Sequence, residues 1–135
     1  MSDHQPGYYS WVFVLTLIRK YANIHSMNKY TITYYSEKIQ SEILELPDTL
    51  LARYLKLTSV MIDEGTNLGM PHTKAMGNGL FELRLKGLEG IARVFYCTII
   101  NKQIVMLHSF VKKTDKTPDK ELNIAIKRMK EVQSK

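Results

Sequence analysis

Two arginines and a run of lysines are the residues of this chain with the clearest chemical capacity. Arg84 stands in "LFELRLK", where Phe81, Leu83 and Leu85 alternate with Glu82, Arg84 and Lys86, which puts the arginine on the polar side of an expected strand. Arg93 interrupts the apolar run "IARVFY" between Ala92 and Val94. An arginine so placed is costly to bury alone, so it either pairs with a carboxylate such as Glu82 or faces a groove and meets an anion. The connection "GLEG" between the two segments is short enough to set Arg84 and Arg93 on neighbouring strands. A third apolar run ends in "HSFVKKTDKTP" and delivers Lys112, Lys113 and Lys116 toward the same rim. Together these cations can surround one phosphate of a polyanion.

If the polyanion is RNA, its own 2′-hydroxyl supplies a nucleophile. The protein then need only hold the phosphate in line, stabilise the growing negative charge with fixed Arg and Lys groups, and help protons leave and arrive. No metal is required for that. The candidate proton carriers are His108, Lys112 among its cationic neighbours, and Tyr96. Binding of nucleic acid without cleavage would use the same cations, and His108 within a strand is equally suited to a structural hydrogen bond.

Other chemistries find little support. The histidines at 4, 25, 72 and 108 form no HExxH or similar spacing, and the single cysteine, Cys97, excludes a multi-cysteine zinc site and any internal disulfide. "GNG" at 77–79 lacks the lysine and hydroxyl of a nucleotide-binding glycine loop, and "GLEG" lacks the helix of a dinucleotide site, so both read as turns. No cofactor and no metal are expected.

Charge distribution agrees with a polyanion or acidic partner for the C-terminal third. Residues 1–90 carry nine Lys/Arg against nine Asp/Glu, whereas residues 91–135 carry ten against four, so the whole net charge of +6 resides there. The 135 residues suit one domain, and the lone cysteine in an apolar run suits a reducing cytoplasm. "YYSWVFVLTLI" near the start is too short to span a bilayer, and basic residues follow it instead of preceding it, unlike a signal peptide. Residues 1–26 are therefore read as an uncertain leader or extra N-terminal segment, an added helix or an interfacial segment being the alternatives. The compact domain is expected over 27–135.

The elements that must position the cations follow from periodicity. "YTITYY" reads as a strand, and Ser36 caps a helix carrying Ile39, Ile43, Leu44 and Leu46; a second helix carries Leu50, Leu51, Tyr54, Leu55, Thr58 and Met61 or Ile62 and stops at Gly65. Residues 65–79, with four glycines and a proline, read as an extended loop. Three consecutive antiparallel strands follow, joined by "GLEG" and "NKQ", and then a closing helix with Leu122, Ala125, Ile126, Met129 and Val132 on one stripe. The class is α+β, with one sheet face under helices and the other accessible.

The strings "GLFELR", "RVFY", "LHSFVKKTDKTP" and "ELNIAIKRMKE" resemble, in combination, the phage-derived, HigB-like branch of the RelE/ParE toxin superfamily, over residues 27 to about 132. The resemblance implies a mainly antiparallel four-stranded sheet with two N-terminal helices and a C-terminal helix. It implies the toxin of a type II toxin–antitoxin system, a metal-independent endoribonuclease that cuts ribosome-bound mRNA by 2′-hydroxyl attack. Its partners would be a helix-turn-helix antitoxin, the ribosome with its mRNA, and operator DNA through the antitoxin complex, with no membrane. The superfamily's strand arginine falls on Arg93, its preceding basic positions on Arg84 and Lys86, and its basic cluster after the last strand on Lys112 and Lys113. With His108 these give Arg84, Arg93, Lys112 and His108 as catalytic residues, and Lys74, Lys86, Lys113 and Lys116 as RNA-binding ones. A tyrosine that RelE proteins carry after the last strand is missing from "TDKTP". The ParE branch shares the fold, inhibits DNA gyrase and cuts no RNA, so it is the alternative, beside a non-cleaving nucleic-acid-binding co-repressor.

Overall fold

The computed structural model describes residues 10–27, 29–113 and 116–134, with the backbone alone for 22–27. The elements run α1 (Trp11–Met27), β1 (Thr31–Tyr34), α2 (Glu37–Leu44), α3 (Asp48–Glu64), β2 (Thr73–Gly77), β3 (Leu80–Gly87), β4 (Gly90–Ile99), β5 (Gln103–Lys112) and α4 (Asp119–Gln133). One five-stranded sheet in the order β1-β5-β4-β3-β2 organises them, with β1 parallel to β5 and every other pair antiparallel.

The α+β class is as expected, but the sheet is mixed and has five strands, not four, and the described residues form four helices where three were expected, α1 being the addition. The fifth is β2, in the stretch expected to be loop. Its glycines cluster at the turn: Gly77, Asn78 and Gly79 all have positive φ and reverse the chain tightly into β3. Thr73–Gly77 can then pair along the β3 edge despite lacking β-branched residues beyond Thr73. The "NKQ" connection behaves as expected, with Asn101 and Lys102 both left-handed between β4 and β5.

Helices cover both sheet faces unequally. Ser36 caps α2 by accepting the Ile39 amide, and α2 and α3 seat Ile39, Ile43, Leu50, Tyr54, Leu57 and Met61 on one face against Leu83, Leu85, Val94, Tyr96 and Met106. Each large apolar side chain buried there contributes roughly 1.5–3 kcal/mol. Leu57 occupies the α3 stripe where Leu55 was expected; Leu55 is exposed. On the opposite face α4 packs Ala125 and Met129, with Leu122, Ile126 and Val132 beside them, on Leu80, Phe95, Cys97, Val105 and Leu107. Burial pushes the Cys97 thiol up to about 11, which makes it an inert core group. β4, sandwiched between the two layers, is buried continuously from Ala92 to Cys97.

α4 is too short to cover its whole face. The half toward Gly87 is left to polar side chains, and the cations collect there. Of the N-terminal segment, residues 1–9 lie outside the described residues. The remainder forms α1, whose Trp11, Leu15 and Ile18 are exposed and belong to neither core cluster. Among the described residues no helix is long and apolar enough to cross a membrane.

The β3–β4 turn is fitted against the start of α3. Thr49 Oγ1 accepts the Leu88 amide at 2.8 Å and donates to Glu89, whose carboxylate also accepts the Thr49 amide; these bonds hold the Glu89 carboxyl below its ordinary value. A Cβ on Gly87 would stand 2.3 Å from Thr49 Oγ1 and 3.2 Å from the Leu50 amide nitrogen. Gly87→Ala is therefore expected to lower stability by about 1–3 kcal/mol through overpacking, measured by urea unfolding; a midpoint equal to the parent's would show that the turn yields freely.

Candidate functional site

Cross-strand partners point to the same face of a sheet, so the pairing register lays out the polar end of the α4 face as rows. The outermost row is Lys86, Ile91 and Lys112; the next is Arg84, Arg93 and Phe110; the third is Lys74, Glu82, Phe95 and His108. Of the eight sequence-predicted site residues, this grid brings together Lys74, Arg84, Lys86, Arg93, His108 and Lys112. Lys113 and Lys116 lie just beyond β5, exposed, on either side of residues 114–115, which lie outside the described residues.

A β-bulge makes the arrangement possible. Phe95 pairs with His108 and Tyr96 with Met106, which leaves Leu107 as the additional residue of β5. Leu107 packs with the α4 layer, and past it His108, Phe110 and Lys112 share the face of Arg93. An uninterrupted ladder would turn those three residues to the α3 side.

The centre of the face is an ion cluster around Glu82, whose side chain is only 1% exposed. Its Oε1 accepts from Arg84 Nη1 at 3.0 Å and stands 3.4 Å from Arg93 Nε, and its Oε2 accepts from Thr117 Oγ1 at 2.7 Å. Arg93 thus does both things its sequence position allows, pairing with Glu82 and bordering a groove. It is 5% exposed, donates Nη1 to the Ala92 carbonyl at 3.2 Å, and leaves Nε without a well-aligned acceptor. Burial chiefly, then repulsion from Arg84, lowers its pKa, while Glu82 acts the other way. Removing one partner from such a buried set costs roughly 3–5 kcal/mol, because it strands the remaining charge.

Beside the cluster lies a cleft of about 450 Å³ lined by Arg53, Pro71, His72, Arg84, Lys86, Ile91 and Arg93. Arg53 comes from α3 and His72 from the stretch before β2, whose carbonyl accepts the Arg84 amide at 2.8 Å. Neither residue was assigned a role from the sequence. Arg53 sits on the polar side of an ordinary amphipathic helix, and only the sheet edge brings it near Arg84. The lining is partly apolar, through Pro71 and Ile91; Phe110, which stacks with Phe95 and His108 at 5.8 and 6.1 Å, packs instead with the α4 layer. A cationic groove of this kind is suited to following a nucleic-acid backbone.

The proton-carrier candidates separate. Tyr96 is on the opposite face, beneath α3, donates to the Thr66 carbonyl at 2.5 Å, and has its pKa raised by burial, so it cannot serve the cleft. His108 has both ring nitrogens engaged, Nε2 with Glu121 at 2.5 Å and Nδ1 with Arg128 at 3.3 Å. A guanidinium can only donate, so Nδ1 accepts and Nε2 carries the hydrogen given to Glu121. Arg128 also donates to the Leu107 carbonyl at 2.9 Å and lies 4.8 Å over the Tyr35 ring. His108 thereby seats α4 on the bulge. Lys112, 9% exposed, stays in the outer row beside Ile91. Among the described residues no group of three His, Cys, Asp or Glu could hold a metal ion.

Lys74, Lys86 and Lys113 are exposed, so replacing all three by Gln leaves the core untouched. The triple variant is expected to bind a single-stranded RNA oligonucleotide more weakly, with the slope of log affinity against log salt reduced by about 2, at about 0.7 per lost phosphate contact. An unchanged slope, read by fluorescence anisotropy, would make the three lysines mere solvated surface.

A family model described as phage derived protein Gp49-like (DUF891) matches residues 41–130, from the middle of α2 into the last turns of α4. The matched span contains all the residues that line the cleft. No curated protein matches the chain.

Proposed function

The chain belongs to the Gp49-like family of phage-derived proteins, and from that premise we propose that it is a toxin of a toxin–antitoxin pair that cleaves mRNA at the Arg84/Arg93 cleft. The observation that carries the reading is the pair of arginines side by side on β3 and β4, both lining the cleft and each held on one side, Arg84 by Glu82 and Arg93 by the Ala92 carbonyl. Guanidinium donors on two neighbouring strands suit the non-bridging oxygens of a phosphodiester.

In the proposed reaction a phosphate of the RNA backbone sits against Arg84 and Arg93, with the flanking phosphates on Lys74, Lys86, Lys113 and Lys116. The 2′-oxygen attacks phosphorus, its bond to phosphorus forms, and the bond to the 5′-oxygen breaks. The two arginines stabilise the added negative charge on the phosphoryl oxygens. Lys112 gives a proton to the departing 5′-oxygen, and the 2′-proton passes to water in the cleft. The products are a 2′,3′-cyclic phosphate and a 5′-hydroxyl. His108, engaged by Glu121 and Arg128, contributes by holding α4 and the bulge that present Lys112. The proposed setting is ribosome-bound mRNA, with a helix-turn-helix antitoxin as the neutralising partner.

The test is mapping of mRNA 5′ ends after brief induction of the parent chain, of Arg93→Ala, and of a version starting at Met27. New ends in register with the reading frame are expected from the parent, with at least about a 100-fold loss for Arg93→Ala. Retained activity from Met27 would place function wholly in the later domain. Growth arrest with DNA damage and no new ends would overturn the ribonuclease reading in favour of gyrase inhibition, and RNA or operator binding without toxicity would leave a co-repressor.

A further inference from the structure

Glu82 is the one residue of the cationic face that a phosphate clamp does not obviously call for. A negative charge beside Arg84 and Arg93 opposes phosphate binding, and a carboxylate is among the costlier groups to bury. It is nevertheless almost fully enclosed and satisfied on both oxygens, by Arg84 and Thr117, with Arg93 Nε close by.

The geometry gives it a purpose. Nε of Arg93 turns toward Glu82 and Nη1 is engaged by the Ala92 carbonyl, so neither of these contacts uses Nη2, and the residue borders the cleft. Arg84 likewise gives Nη1 to Glu82 and keeps its other donors for the cleft. Thr117 immediately precedes Pro118, the N-cap of α4, so the same carboxylate also ties the segment carrying Lys116 to strand β3. We propose that Glu82 is a positioning residue that aims both arginines at the scissile phosphate while lowering the resting affinity of the cleft for anions. The proposal rests on the ribonuclease reading given above.

Two opposed effects of one charge make this testable. Glu82→Gln keeps the side-chain shape, removes the competing charge and loosens the arginines. Thr117→Val removes one tether and no charge. Binding is read with a 2′-O-methyl RNA oligonucleotide, which cannot be cut by its own 2′-oxygen, and cleavage by single-turnover decay of the matching RNA on ribosomes. The expectation for Glu82→Gln is binding tighter by on the order of 10-fold and cleavage slower by about 100-fold. For Thr117→Val it is unchanged binding and a several-fold slower cut.

Tighter binding with undiminished cleavage in Glu82→Gln would overturn the proposal and leave Glu82 a mere electrostatic damper. Weaker binding together with slower cleavage would also overturn it, because Glu82 would then only support the fold. A parent chain that binds the analogue and cuts nothing would sink the ribonuclease reading itself, and the positioning role with it. An active parent matched by an equally active Glu82→Gln would sink the positioning role alone.

Discussion

A carboxylate with almost no access to water, shared by two guanidiniums and a threonine hydroxyl, is the constraint around which this structure is arranged. Glu82 and Arg93 are each too expensive to bury alone, and neither can leave without stranding the other. Their mutual requirement fixes β3 against β4 on the face that the apolar layers do not reach. Through Thr117 it also fixes where the chain turns into α4. A polar network in this position adds little stability over an apolar one, but it sets two arginines at one orientation in a low-dielectric wall, which apolar packing cannot do.

The rest of the fold divides one sheet face into a dry half and a charged half. α4 lays Ala125 and Met129 over Cys97 and Val105 and stops short of Arg93. The bulge at Leu107 lets β5 serve both halves, giving Leu107 to the core and Lys112 to the cationic rows. His108 stands at the boundary, where Glu121 and Arg128 of α4 clasp its two nitrogens. Lys113 and Lys116, which follow β5, are exposed, and their sign complements the backbone of a nucleic acid.

How much of this could be read from the chain depended on the distance over which each feature is decided. Strand alternation in "FELRLK" and the short "GLEG" connection are local, so Arg84 and Arg93 were recognisable as neighbours, with Glu82 as a partner for Arg93. The Ser36 cap and the α4 stripe were equally local. β2 was hidden because its flanking glycines signal loop, and only pairing with β3 makes Thr73–Gly77 a strand. The parallel pairing of β1 with β5 joins residues about seventy positions apart and leaves no periodic trace. The engagement of His108 depends on Glu121 and Arg128, thirteen and twenty residues later, and Arg53 reaches the cleft only through tertiary packing. The bulge, which decides the facing of Lys112, has no glycine or proline to announce it.

The proposed ribonuclease activity requires the cleft to align an RNA phosphate for attack by its own 2′-oxygen. The most direct measurement replaces the single 2′-hydroxyl at a mapped cleavage position by hydrogen in a ribosome-bound message and follows cutting with a chelator present. Loss of cutting at that one position, with a 2′,3′-cyclic phosphate and a 5′-hydroxyl as the ends of the unmodified message, is the predicted result. Cutting of the deoxy message at the parental rate, or ends that carry a 5′-phosphate, would mean that water is the nucleophile and would contradict the account.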